Sequence, residues 1–133
     1  MPANGKTILL VEDDRFLRRA CEASLRQRGF AVITAVDGEE ALRRVREHMP
    51  DLVLLDLLMP KISGVEVLKA LKSDVATKAV PVLILSNSSR EQDISDVMRL
   101  GAVAYWVKAN LSLKELGERV ARLLDGDAGV PPA

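Results

Sequence analysis

The sequence predicts an α/β fold of the (βα)5 type, in which helices cover both faces of one doubly wound, five-stranded parallel sheet. Five short apolar runs recur at fairly regular spacing and are rich in Val, Ile and Leu. The first, third and fourth show no clean alternation, which is typical of parallel strands buried on both faces. Helical patterns lie between the runs, and this strict alternation implies right-handed crossovers.

The apolar runs are interpreted as strands. They comprise Thr7–Val11, Ala31–Val36, Leu52–Leu55, Val80–Leu85 and Val103–Val107. Pro81 is compatible with the start of its strand, where its missing N–H is tolerated.

Helix-capping residues mark where each predicted helix begins. Asp14 caps a first helix that runs to Arg28 before Gly29, and Asp37 caps a second that runs to about His48. Patterns of the capping-box type open the other three helices, of which the fourth ends near Leu100 and the fifth near Leu124; they are Ser63–Glu66, Ser89–Gln92 and Ser112–Glu115.

The composition fits one ordinary globular domain. The chain has 133 residues, of which 48% are hydrophobic and 29% charged. We expect a folded domain over residues 6–125, a disordered start over 1–5 and a flexible tail or linker stub over 126–133. The 19 basic and 19 acidic residues cancel, so neither a nucleic-acid surface nor a membrane surface is indicated.

The sequence also indicates where the protein is located and what its cysteine can do. No apolar run approaches the roughly 20 residues of a membrane span, and no signal peptide is visible, so we expect a cytoplasmic protein. Cys21 is the single cysteine, which excludes an internal disulfide and a cysteine-based zinc site. We expect Cys21 to be a buried helix residue, and the single histidine, His48, to be an exposed helix end.

Polar residues follow four of the five predicted strands. Glu12 and Asp13 follow the first, Asp56 the third, and Lys108 the fifth, while Ser86 ends the fourth. In open α/β sheets ligands bind beyond the carboxyl ends of the strands, so these side chains are expected to share one edge. Each has a structural alternative: an acid can cap a helix, a serine can bond the backbone, and a lysine can be solvated.

Carboxylates at such an edge repel one another unless they share a proton or bind a cation. Mg²⁺ prefers oxygen ligands and typically takes one or two carboxylates with several waters. An added ammonium and hydroxyl indicate that the missing partner is an anion such as a phosphoryl group, which a carboxylate could attack. Occurrence at four strand ends, in this order, favours the chemical interpretation.

Over residues 6–125 the chain resembles a response-regulator receiver domain of two-component signalling. The motifs that carry the resemblance are highly specific in combination; they are Val11-Glu12-Asp13-Asp14, Asp56-Leu-Leu-Met-Pro60 with Gly64, Leu85-Ser86 and Gly101-Ala-Val-Ala-Tyr105-Trp-Val-Lys108. The resemblance implies the flavodoxin-like strand order 2-1-3-4-5.

The resemblance also implies roles for single residues. Asp56 would be the phosphoacceptor, with a Mg²⁺ (or Mn²⁺) ion bound by Glu12, Asp13, the Asp56 carboxylate and the Leu58 backbone carbonyl. Ser86 would hydrogen-bond the phosphoryl group and Lys108 would pair with it.

Tyr105 would be the switch aromatic that turns inward when Ser86 moves. Its neighbour Trp106 should face the other side of the strand and pack there. The face formed by the fourth helix, fifth strand and fifth helix would be the output surface.

The implied partners are a sensor histidine kinase or phosphotransfer protein and a downstream protein target. The chain would catalyse only its own phosphotransfer and dephosphorylation. No helix-turn-helix is visible, so we expect no direct contact with nucleic acid. We expect a standalone receiver rather than a piece of a longer regulator, either monomeric or dimerising on phosphorylation.

Three positions depart from the usual receiver pattern. Ala109 replaces the proline that usually follows a cis bond after Lys108, and because a non-proline cis bond is costly we expect a trans bond. Asn87 is larger than the usual residue and could narrow access to Asp56. Leu58 and Ser88 flank the path of attacking water in the family, and Leu58 offers no polar group, which predicts slow self-dephosphorylation.

Three other functions are compatible with parts of the sequence. A pseudo-receiver, a binding module that lacks phosphorylation, gains support from Asn87 and Ala109. An aspartyl phosphatase of the dehalogenase-like family needs a second Asp where Leu58 stands. A flavodoxin needs a phosphate-cradling first loop, whereas Glu12, Asp13 and Asp14 would repel a phosphate.

Overall fold

The computed structural model describes residues 5–125, and within them five strands alternate with five α-helices. The strands are β1 (Thr7–Val11), β2 (Ala31–Ala35), β3 (Leu52–Leu55), β4 (Val82–Ser86) and β5 (Ala104–Val107). The helices are α1 (Arg15–Gln27), α2 (Gly38–His48), α3 (Gly64–Ser73), α4 (Glu91–Arg99) and α5 (Leu113–Leu124). The expected loose start and tail fall outside the described residues, apart from Gly5.

All strands are parallel and lie in the order β2-β1-β3-β4-β5, so the predicted fold class and strand order are confirmed. The register is regular: Val11 pairs with Leu55, and Leu55 with Ile84. The carboxyl ends of the central strands therefore meet at one edge of the sheet.

Two apolar layers cover the sheet. The core under α2, α3 and α4 includes Leu9 and Val11 of β1, whereas Ile8 and Leu10 point into the core under α1 and α5. Because successive strand residues face opposite sides, a strand with apolar residues at every position fits a sheet covered on both faces. Each fully buried aliphatic side chain stabilises the fold by about 1.5–3 kcal/mol relative to exposure.

The predicted fourth strand began too early, because β4 begins at Val82 rather than Val80. The Val80 amide donates to the Thr77 carbonyl at 3.0 Å, and the Val80 carbonyl accepts from Lys72 Nζ at 2.9 Å. Both backbone groups of Val80 are thus used by the preceding loop, and Pro81 has no N–H to offer. Every other predicted strand boundary agrees with the structure or differs from it by one residue.

Most of the predicted caps are confirmed. Asp14, Asp37, Ser63 and Ser112 each accept a hydrogen bond from a backbone N–H in the first turn of their helix. Ser112 and Glu115 form a complete capping box, whereas at Ser63 only the serine half forms.

The predicted capping box at Ser89 is wrong. The N-cap of α4 is Arg90, and no side chain caps it. The neighbouring Ser88 takes up the local hydrogen bonds instead: its hydroxyl accepts from the Arg90 amide at 3.3 Å and donates to Asp93 at 2.5 Å. No helix within residues 5–125 is both long and apolar enough to cross a membrane.

Candidate functional site at the carboxyl edge of the sheet

The structure brings four of the predicted site residues to one edge of the sheet. Glu12 follows β1, Asp56 follows β3, Ser86 ends β4, and Lys108 follows β5. Glu12 is 3% exposed, Asp56 7% and Ser86 0%. Buried carboxylates are costly unless they are paired or bind a cation, so the edge is built for charge compensation.

Lys108 supplies part of that compensation. Its Nζ donates to Glu12 Oε1 at 2.5 Å and to Asp56 Oδ2 at 3.0 Å. Burial alone would lower the pKa of Lys108, but the two hydrogen bonds and the two negative charges outweigh it and leave the pKa raised. The ammonium therefore stays charged at neutral pH and bridges the ends of three strands.

Glu12 is fixed by the start of α1. Its Oε2 accepts from the Asp14 amide at 3.1 Å, and its backbone carbonyl accepts from Arg18 Nη1 at 3.0 Å. Burial raises the pKa of Glu12, although the hydrogen bond from Lys108 opposes this effect. Because the charged form of Glu12 is poorly solvated, a further cation beside it would stabilise that charged form.

Glu12, Asp13 and Asp56 form a cluster of three carboxylates, called here the carboxylate cluster. One oxygen from each lies within 4.8 Å of the others. Asp13 is exposed while its two partners are buried, so one side of the cluster is open to water. Hard oxygen donors around a solvent-open position fit Mg²⁺ or Mn²⁺, since Mg²⁺ usually keeps several waters.

The loop after β3 shapes the surroundings of Asp56. The Leu58 amide donates to Asp56 Oδ1 at 3.3 Å, and the Gly64 amide donates to the Leu57 carbonyl at 2.9 Å. A Cβ on Gly64 would lie 2.6 Å from Leu57 Cα and closer still to the Asp56 carbonyl oxygen. Glycine is thus required where α3 begins against this loop. The Leu58 side chain is 73% exposed.

The loop between β4 and α4 is held by Ser88 and Tyr105. Ser86 Oγ accepts from the Ser88 amide at 3.3 Å, and the Tyr105 hydroxyl donates to the Ser88 carbonyl at 2.7 Å. Tyr105 is half-buried and packs against the core under α2, α3 and α4. Trp106 is buried on the opposite face, as predicted, with the Arg119 guanidinium 5.6 Å from its ring centroid.

Several further sequence predictions are confirmed. No peptide bond between residues 5 and 125 is cis, so Lys108–Ala109 is trans, and Lys108–Asn110 form a short 3-10 helix. Lys108 reaches the site despite Ala109. Cys21 is buried, and burial together with the Glu12 charge raises the pKa of its thiol to about 11. His48 is exposed at the end of α2, and Asn87 is also exposed.

The sequence reasoning missed the side chains of Arg90 and Asp93. Arg90 donates to both oxygens of Asp93, at 3.0 and 3.1 Å, and Ser88 donates to the same carboxylate. The spacing of Arg90 and Asp93 could have indicated an ion pair in the first turn of a helix. No local pattern links Ser88 to Asp93.

Comparisons with known sequences agree with this geometry. The family model described as the response regulator receiver domain matches residues 8–121. The chain is 37% identical over 120 residues to the alkaline phosphatase synthesis transcriptional regulatory protein PhoP of Bacillus subtilis (strain 168), covering 90% of this chain and 49% of that protein. It is 43% identical over 117 residues to the transcriptional regulatory protein PrrA of Mycobacterium tuberculosis (strain ATCC 25618 / H37Rv), covering 88% and 49% respectively. The chain thus spans about half the length of these relatives.

Solved structures give the same result. The phosphorylated cyanobacterial phytochrome response regulator RcpA is 36% identical with a TM-score of 0.78, over 92% of this chain and 93% of that chain. The Mn²⁺-bound form of response regulator Rcp1 is 30% identical with a TM-score of 0.76, over 96% and 99% respectively. With its fold, its edge of polar residues and these matches, the chain belongs to the response regulator receiver domain family of two-component signalling.

Proposed function

We propose that this receiver domain accepts a phosphoryl group on Asp56 from a histidine kinase or phosphotransfer protein in the cytoplasm. The observation that carries the proposal is the Asp56 carboxylate itself. It is 7% exposed at the end of a buried strand, and Lys108 Nζ lies 3.0 Å from its Oδ2. A buried carboxylate held by one cation, with two further acids beside it, is suited to in-line attack on phosphorus.

The proposed reaction transfers one phosphoryl group between two nucleophiles. A carboxylate oxygen of Asp56 forms a bond to phosphorus while the bond from phosphorus to the donor histidine nitrogen breaks, and that nitrogen keeps the electron pair. The product is an acyl phosphate on Asp56. Lys108 would stabilise the negative charge on the phosphoryl oxygens, because its ammonium already contacts the attacking carboxylate.

The carboxylate cluster would hold the metal ion that this chemistry requires. Glu12, Asp13, Asp56 and the Leu58 backbone carbonyl would bind Mg²⁺ or Mn²⁺. When bound, the ion neutralises phosphoryl oxygens and brings them next to Asp56. The repulsion among the three acids supports this role, since a divalent cation removes it.

Phosphorylation would switch the surface formed by α4, β5 and α5. The phosphoryl group adds charge and acceptor oxygens at the edge where Ser86 and Lys108 lie. Ser86 would donate its hydroxyl proton to a phosphoryl oxygen, and Tyr105 would follow through the loop whose Ser88 carbonyl it already binds. We propose a protein target for this surface, with phosphorylation-promoted dimerisation as a second output, distinguishable by sedimentation.

The test of this proposal is phosphoryl uptake from a small phosphodonor, followed by intact mass. We expect a gain of one phosphoryl group with Mg²⁺, none after chelation, and none for Asp56→Asn. Glu12→Gln is a matched control that leaves Asp56 intact but weakens the metal site, so its uptake should require more Mg²⁺. No mass gain by the unaltered protein would instead favour a phosphorylation-independent binding module.

A further inference from the structure

Ser88 is held at three separate atoms, each by a different element. Its amide donates to Ser86 Oγ at 3.3 Å, its carbonyl accepts from the Tyr105 hydroxyl at 2.7 Å, and its hydroxyl donates to Asp93 at 2.5 Å. These contacts link the end of β4, the strand β5 and the first turn of α4. The position of Ser88 therefore depends on Asp93 as well as on the sheet.

Asp93 is itself held in place. Arg90 donates to both of its oxygens, and the Asp93 side chain is 23% exposed although that of Arg90 is 79% exposed. Hydrogen bonds from Arg90 and Ser88 hold the pKa of Asp93 below its usual range. Asp93 is therefore an acceptor at neutral pH, and the proton between it and Ser88 belongs to the serine.

The direction of these hydrogen bonds matters for Ser86. A hydroxyl has one proton to donate and two lone pairs to accept with. Ser86 Oγ accepts from the Ser88 amide, and within residues 5–125 no hydrogen bond donated by Ser86 is seen, so its single proton is available to another acceptor. Leu55 pairs with Ile84 in the sheet, so Ser86 and Asp56 follow at the same edge on neighbouring strands. The free proton is available where an acyl phosphate on Asp56 would need a donor.

We propose that Asp93 is a positioning residue for phosphoryl transfer, acting through Ser88 to orient the Ser86 hydroxyl. This inference rests on the proposed function, because it assumes that Asp56 accepts a phosphoryl group. Asp93 touches no reacting atom. It holds the hydroxyl of Ser88, and the Ser88 amide occupies a lone pair of Ser86 Oγ. These two contacts link α4 to the reaction indirectly.

The same link works in the opposite direction. Coupling between two sites is reciprocal, so a ligand that draws α4 away from the loop would weaken the hold on Ser86. A phosphoryl group that captures the Ser86 hydroxyl would likewise act on Ser88 and, through its bond to Asp93, on the position of α4. Asp93 is thus the side chain on α4 through which helix and site affect each other.

The experiment measures the rate of phosphoryl uptake from a small phosphodonor with Mg²⁺, by intact mass. Asp93→Ala should slow uptake about fivefold, the rate equivalent of one lost hydrogen bond. Asp93→Asn can still accept from Ser88 and should recover most of that loss. Asp96→Ala is the matched control, because Asp96 lies on the same helix and its side chain accepts from Gln92 and pairs with Arg99 rather than with Ser88; its rate should be unchanged.

A double-mutant cycle identifies the route. If Asp93 acts through Ser86, then Asp93→Ala should slow uptake in the unaltered protein but have no effect in a Ser86→Ala background. An equal loss in both backgrounds, or no loss in either, would overturn the inference while leaving phosphorylation of Asp56 intact. If the unaltered protein takes up no phosphoryl group at all, the proposed function fails and the inference fails with it.

Discussion

At the scale of single residues, the site depends on close approach as much as on charge. The loop that carries Asp56 passes so near α3 that Gly64 has no room for a side chain. Acidic residues at strand ends are visible in a sequence, and so is the glycine. The reason for the glycine is not visible, because the contact joins residues that only the folded chain brings together.

Gly64→Ala should therefore destabilise the domain by about 1–3 kcal/mol, because the added methyl group must displace backbone. Urea unfolding followed by the fluorescence of Trp106, the single tryptophan, measures the change. Gly117→Ala is the control: its Cβ would meet side-chain atoms at 3.2 Å or more, which can move. Equal losses for both variants would contradict the importance of the Asp56 loop.

We predict that Leu58 prolongs the life of a phosphoryl group on Asp56. Its exposed apolar side chain cannot orient an attacking water, and the Ser88 hydroxyl is engaged with Asp93. Leu58→Asn should shorten the phosphoryl half-life about three- to tenfold by supplying a hydrogen-bonding group near the reacting water. Loss of phosphoryl mass after removal of the donor measures this.

Val75→Asn is the matched control for Leu58→Asn, because Val75 is 81% exposed after the end of α3. It should leave the half-life unchanged. A half-life of seconds in the unaltered protein would mean that Leu58 does not slow hydrolysis.

At the scale of helices and strands, the helix caps that depend on local sequence were mostly predictable. The starts of α4 and β4 were not, because other residues compete for their backbone groups. The caps of α1, α2, α3 and α5 were predictable, because each depends on residues three apart in sequence. At α4 the same pattern failed. The N-cap is Arg90, and the Ser88 hydroxyl, not Ser89, accepts from the Arg90 amide and donates to Asp93. The start of β4 was misplaced since Lys72, on the preceding helix, occupies the Val80 carbonyl.

The two serine patterns can be separated by experiment. Ser112→Ala should cost about 1 kcal/mol of unfolding free energy, because it removes the cap of α5. Ser89→Ala should change the unfolding free energy by less than about 0.5 kcal/mol, since the cap position of α4 is Arg90. Thermal or urea unfolding of both variants checks this. A larger loss of unfolding free energy for Ser89→Ala would mean that Ser89 caps α4 after all.

At the scale of the whole molecule, Lys108 joins the ends of β1, β3 and β5 through Glu12 and Asp56. The sequence predicted that these residues share an edge, since parallel strands end together. It did not predict that the lysine would bridge two acids, because that depends on the path of the 3-10 helix after β5. The ammonium and a metal ion would compensate the same two carboxylates.

Lys108→Met should thus lower the unfolding free energy by about 1–3 kcal/mol in chelator, because it leaves two buried acids without their cation. Mg²⁺ should then stabilise the variant more than it stabilises the unaltered protein, as binding to the folded state requires. Thermal unfolding with and without Mg²⁺ measures both effects. Equal stabilisation of the two proteins would contradict a shared site.

Locating the phosphoryl group on the chain identifies the phosphoacceptor directly. After reaction with a small phosphodonor and Mg²⁺, borohydride reduction converts an aspartyl phosphate to homoserine, which peptide mass mapping assigns to one residue. We predict homoserine at Asp56 and at none of the other acids, with none in Asp56→Asn. Reduction at Asp13, or no reduction at any residue while the protein remains folded and binds Mg²⁺, would mean that Asp56 is not the phosphoacceptor.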